Sequence, residues 1–216
     1  MTSSTASQSD NYLVLEMSPA WEMNADSFFD FCQLNSHLRI ERNATGKLII
    51  MSPAGSETGN RNFKLIQQLA NWTDRNGSGI GFDSSAGFIL PNGATRSPDA
   101  SWIELSKWNS LSAEQKTKFA PICPDFVVEL KSPSDCLEVL QDKMTSDPAS
   151  PSGARECARM QEYINNGASL GWLIDRPNRK VYIYTPNIEV NCLEDPQIVS
   201  GDSVLPGFVL DLSQIW

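Results

Sequence analysis

The chain has 216 residues, 40% of them apolar, and carries 26 acidic against 17 basic side chains, for a formal net charge of −9. That apolar share builds a core and excludes wholesale disorder. The acidity excludes a protein that coats nucleic acid through a broad basic surface, though not an enzyme that holds a metal with carboxylates and meets DNA along one local basic strip.

No apolar run approaches the roughly 20 residues that span a bilayer. Met1 to Asp10 has neither a basic start nor an apolar stretch. The expectation is a cytoplasmic protein with no signal peptide and no membrane contact. The five cysteines (Cys32, Cys123, Cys136, Cys157, Cys192) are odd in number and contain no C-x-x-C, which argues against a disulfide framework or a structural zinc site. His37 is the single histidine. Carboxylates and lysine are therefore the side chains left to do acid–base or metal chemistry.

Residues 1–20 read as a flexible polar lead and 21–216 as one domain. Asp26 to Leu34 has helical spacing. Leu38 to Glu41 and Lys47 to Met51 flank Asn43-Ala44-Thr45-Gly46 as a β-hairpin. Glu57 to Trp72 reads as a helix capped by Ser56, with Phe63, Ile66, Leu69 and Ala70 on its apolar face. Strands are predicted at Gly87 to Leu90 and Ala100 to Glu104, and a short helix at Leu111 to Phe119. Asp125 to Leu130 is nearly all apolar, as expected of a central strand buried on both faces. Asp135 to Met144 is helical. The run 147–153, with two prolines and a glycine, reads as a loop. Arg155 to Asn165 resumes the helix and ends at Asn166-Gly167. Leu170 to Ile174 and Lys180 to Tyr184 are strands, followed by an apolar tail over Val204 to Trp216. This order suggests an α/β (α+β) fold with a mixed sheet.

The chemistry centres on Asp99 and on Glu129-Leu130-Lys131. Glu129 and Lys131 alternate along a strand and share one face. Burying such charges is costly unless they pair or bind a metal. A neighbouring aspartate beside Glu129 creates a repulsion that a divalent cation relieves, and Mg²⁺ suits one or two carboxylates with waters and phosphate oxygens. Lysine then orients water or stabilises charge developing at phosphorus. The bland alternative is a salt bridge at a strand end. Pro124-Asp125, a second "PD", reads as the start of the strand. Arg159 and Tyr163, at i and i+4, share a helix face.

Long stretches of the sequence (residues 38–62, 81–111, 118–144, 158–187 and 204–216, including RSPDASW and VVELKSPSD) resemble the Uma-two family of restriction-endonuclease-like proteins, within the PD-(D/E)xK nuclease superfamily. The resemblance implies a restriction-endonuclease-like core, a mixed sheet flanked by helices. It places Asp99 at the motif aspartate and Glu129 and Lys131 at the (D/E)xK pair. It also implies Mg²⁺, or Mn²⁺ in its place, held by Asp99, Glu129 and the Leu130 carbonyl. Glu57 opens the first long helix, where the superfamily often places a further active-site carboxylate and where the helix dipole also favours an acid. The family's K-x-x-x-Y helix is interrupted by an insertion near 145–157, so Lys143 or Arg159 stands for its basic residue and Tyr163 for its tyrosine. All three are candidates for contacting substrate phosphate.

The expected function is Mg²⁺-dependent cleavage of DNA by a homodimer, with the apolar C-terminal segment a candidate interface. The alternative is a catalytically silent module of the same fold that binds nucleic acid or a protein.

Overall fold

The computed structural model describes residues 12–15, 23–131 and 152–216. Strand β1 (Tyr12–Leu15) precedes helix α1 (Ala25–Leu34), the hairpin β2 (Arg39–Arg42) and β3 (Leu48–Met51), and the long helix α2 (Ser56–Asn76). Then come β4 (Gly79–Asp83), the two-residue strands β5 (Phe88–Ile89) and β6 (Thr95–Arg96), and β7 (Ala100–Glu104). Helices α3 (Leu105–Ser110) and α4 (Ala113–Thr117) lead into β8 (Phe126–Lys131). Helix α5 (Ser152–Asn165) is followed by β9 (Leu170–Asp175), β10 (Lys180–Tyr184), β11 (Asn191–Glu194), β12 (Ile198–Ser200) and β13 (Val209–Asp211).

The main sheet has the order β11-β10-β9-β8-β7-β4. It is mixed, because β8 runs parallel to β9 and the other pairs are antiparallel. The parallel pair requires a crossover, and α5 lies on that connection. A second sheet, β1-β3-β2-β6-β5, is built on the hairpin. The fold is the mixed α/β arrangement expected from the sequence.

β8 is buried along its whole length. Phe126, Val128 and Leu130 point into a core with Leu65, Leu69 and Trp72 of α2 and with Phe208, Leu210, Leu212 and Ile215 near the C-terminus. Edge-to-face contact of Phe126 with Trp172, at 4.8 Å, and stacking of Trp172 on Phe208, at 5.9 Å, bind this side together. Val127 points the other way, into a core with Met160 and Tyr163 of α5 and Leu173 of β9. Gly171 lets α5 approach β9 closely, since a Cβ there would stand 2.5 Å from Met160 Cε.

Several expectations need correction. Tyr12–Leu15, expected within a polar lead, pairs with β3. The apolar stripe of α2 is Leu65, Leu69 and Trp72, whereas Phe63 is 61% exposed. Ser56 lies inside that helix, and Gly55 is its N-cap residue without a side-chain cap. Helix α5 begins at Ser152, within the run expected to be a loop. The C-terminal apolar segment packs into the chain's own core. The helix expected at Asp135 to Met144, Lys143 itself and residues 145–151 of the insertion lie outside the described residues. No helix among the described residues is long and apolar enough to cross a membrane.

Candidate active site

The site forms where β7 and β8 part. Ala100 pairs with Val128 in the antiparallel register, so the next residue outward, Asp99, stands opposite Glu129. Opposed residues of such a ladder project to the same face. Asp99 Oδ2 accepts a hydrogen bond from the Leu130 amide at 2.8 Å. The sequence thus delivers two carboxylates to one face of a buried strand end, with the Leu130 backbone beside them.

Glu129 lies under α5. Its Oε1 accepts from the Tyr163 hydroxyl at 3.3 Å and lies 3.6 Å from Arg159 Nη1. The helical spacing of Arg159 and Tyr163 therefore aims both at one carboxylate. Burial pushes the Glu129 carboxyl up to about 8, with Asp99 and Glu41 adding to the effect and Arg159 opposing it. Burial also raises Asp99, against Arg39 and the Leu130 amide. The Tyr163 phenol is raised well above its usual value by burial and by Glu129, so it stays protonated and donates.

Lys131 shares the face of Glu129, but its Nζ is held 3.2 Å from Asp175 Oδ2, the residue aligned with it on β9. Both side chains are buried, and Asn178 Nδ2 donates to the same aspartate oxygen at 2.9 Å. The other oxygen, Asp175 Oδ1, is buried without a protein partner.

Besides Asp175, Arg39 and Glu41 were not read from the sequence as site residues. Arg39 and Glu41 alternate along β2 just as Glu129 and Lys131 alternate along β8. Arg39 Nη2 donates to the Ser97 carbonyl at 2.7 Å and lies 3.7 Å from Asp99 Oδ1. Glu41, 1% exposed, accepts the Ser97 amide at 3.0 Å on Oε1, while Oε2 lies 3.1 Å from Arg96 Nη1 and 3.3 Å from Arg159 Nη2. Arg96 in turn reaches Glu162 of α5 at 2.7 Å. Burial acts to raise the Glu41 carboxyl, but Arg159, Arg96, the Ser97 amide and Arg39 together hold it below its usual value. Glu41 is thus an anion in the same charge cluster where Glu129 favours the protonated form.

Glu57 stands apart from this cluster. Its side chain, 78% exposed, accepts from Arg61 Nη2 at 2.7 Å one turn along α2. That pair holds its carboxyl below the usual range. The structure does not bring it into contact with Asp99 or Glu129. Asp125 is structural: it accepts from the Glu104 amide and pairs with Lys107.

Among the described residues, no group of three or more His, Cys, Asp or Glu side chains is arranged to hold a metal ion. The donors at hand are two carboxylates and a backbone carbonyl. That set suits Mg²⁺, which retains most of its waters, better than a metal that needs a full protein cage.

The architecture places the chain among nuclease-like folds. It matches the crystal structure of a "putative nuclease belonging to DUF820" from Anabaena variabilis with a TM-score of 0.63 at 18% identity, covering 90% of this chain and 97% of that one. The chain belongs to the Uma2 family, whose model, described as "putative restriction endonuclease", matches residues 25–213. No curated protein matches the chain.

Proposed function

We propose that this protein is a Mg²⁺-dependent endonuclease that hydrolyses DNA phosphodiester bonds, with Asp99, Glu129 and the Leu130 carbonyl as the metal donors and Mn²⁺ as a working substitute. The observation that supports this most is the β7–β8 register, which sets two desolvated carboxylates face to face with Lys131 on the same surface. Such a pair is poorly stabilised alone, and a divalent cation is the simplest group that relieves it. The ion, once bound, supplies charge that offsets the charge developing on the phosphoryl oxygens.

The chain's own groups do the rest. Lys131, oriented by Asp175, positions the attacking water for in-line displacement. Arg159 and Tyr163 turn from Glu129 to the non-bridging oxygens of the scissile phosphate. Arg39 lies at the rim of the same face and meets the neighbouring phosphate. Arg39 and Arg159 are the partly exposed cations of this face, and they would meet the phosphates on a protein whose net charge is −9. Cutting both strands calls for two such sites, and a symmetric homodimer supplies them. The rival reading is a silent module of the same fold that binds nucleic acid or protein. It is favoured by the way Arg39 and Arg159 lie against the two carboxylates in this structure.

The test is nicking of supercoiled plasmid with Mg²⁺ or Mn²⁺. Asp99→Asn removes a metal donor. Lys131→Gln is made together with Asp175→Asn, so that no buried aspartate is left unpaired. Metal-dependent nicking that both variants lose supports the nuclease. Duplex binding without nicking, and without any response to metal, favours the silent module.

A further inference from the structure

We infer that Glu41 is a positioning residue for the site: it holds Arg159 in place when Glu129 turns to other partners. The inference rests on the nuclease reading above and adds a residue to it.

Glu41 comes from β2, and its carboxylate faces groups from the neighbouring strand β6 and the residue after it, and from α5. Oε1 takes the Ser97 amide, and Oε2 is shared between Arg96 and Arg159. Arg96 is itself fixed by Glu162, and Glu162 also accepts from Asn92 Nδ2 at 2.9 Å. Glu41 therefore sits on a braced support. Arg159 extends this chain of contacts, bridging from Glu41 through Nη2 to Glu129 through Nη1, at 3.3 and 3.6 Å. A guanidinium is a rigid planar fork, so fixing one nitrogen directs the other. When Glu129 engages a cation, Arg159 loses one acceptor and keeps Glu41. Its Nη1 arm then points at the space beside Glu129, where a substrate phosphate would lie.

Stability is a weak explanation for this arrangement. Replacing a buried ionic group with apolar residues of similar volume is often neutral or stabilising, so a fully buried, doubly paired glutamate in a hairpin calls for another consequence. Position is the one that its contacts supply.

The experiment compares wild type, Glu41→Gln, Arg159→Gln and the double variant. Two readings are taken: Mg²⁺-dependent nicking, and metal-free binding of a fluorescein-labelled 30-base-pair duplex by anisotropy, with thermal melting to verify the fold. Glu41→Gln is expected to slow nicking about 100-fold, the cost of a misplaced contact group, and to weaken duplex binding. The double variant is expected to match Arg159→Gln within about threefold in both readings, because Glu41 acts through Arg159. Losses that multiply in the double variant would overturn the inference, as would wild-type behaviour of Glu41→Gln. If Glu41→Gln does not fold, Arg159→Lys decides. It keeps the charge and removes the fork, and is expected to lose nearly as much as Arg159→Gln, whereas full activity would overturn the inference. A wild type that neither binds duplex nor nicks defeats the nuclease reading and this role together. A wild type that nicks beside an equally active Glu41→Gln defeats this role alone.

Discussion

The two faces of β8 are built for different ends. One face carries Phe126, Val128 and Leu130 against α2 and an aromatic stack. The other carries Glu129 and Lys131, each buried and each held by charged or hydroxyl partners from α5 or β9. Alternation along a single strand separates them, so fold and chemistry are neighbours one residue apart. The apolar face fixes the strand, and the charged face sets Asp99 beside a Glu129 that burial keeps toward its protonated form. Changes on the apolar face should therefore move stability, and changes on the charged face should move function.

The sharpest break of this contrast is Trp172→Ala. Truncating a fully buried tryptophan at the centre of the stack should cost about 3–5 kcal/mol in urea unfolding, with loss of activity only in proportion to unfolding. Lys131→Ala is the exception on the charged face. It strands buried Asp175 without its cation and should destabilise by a similar ~3–5 kcal/mol. Adding Asp175→Asn should recover most of that stability but none of the nicking, which separates the ion pair's structural role from the catalytic role proposed for Lys131.

The pH response tests the charged face itself. The folded pKa of Glu129 lies above its ordinary value of 4.5, at about 8. The folded state therefore holds a proton that the unfolded state releases, and stability falls as pH rises through the window between those values. The fall for metal-free protein should be on the order of 4 kcal/mol, and Glu129→Gln should flatten it. Divalent ions should reverse the fall, because they bind the ionised carboxylate.

Gly171→Ala should be milder, at about 1–3 kcal/mol, because the new Cβ meets only the end of the flexible Met160 side chain, and should leave nicking close to wild type. The smallest effect is expected for Glu57→Ala. An exposed pair on the first turn of α2 should leave both melting temperature and nicking within error of wild type, and a large loss of nicking would restore Glu57 to the catalytic set.

Much of the frame was legible because burial on both faces leaves a plain mark. The run at 125–130 could only be a central strand, and Ala100–Glu104 and Lys180–Tyr184 emerge with their expected bounds. Asp99, Glu129 and Lys131 were legible through their motif. Less was visible where pairing is short or set by distant partners. The two-residue strand β6 has no period to read, whereas β5 falls within the strand expected at Gly87 to Leu90. In α2, Ile66 and Leu69 of the expected face do pack into the core, but Phe63 does not, and the stripe runs instead through Leu65, Leu69 and Trp72 at i, i+4, i+7. Arg39 and Glu41 look like the solvent face of an ordinary hairpin until β6 and α5 close over them. The available clue was the R-x-E alternation of β2, which mirrors the E-x-K of β8. Asp175, at the end of an apolar strand, gave no hint that it would receive Lys131.

The most direct test of the central claim is calorimetric titration of Mn²⁺ into the purified chain at pH 8.5, beside Glu129→Gln, with circular dichroism to confirm that both are folded. One site in the wild type, lost in the variant, is the expected result. Equal binding by both proteins, or none by the folded wild type, would contradict the assignment of Asp99 and Glu129 as the metal-holding pair.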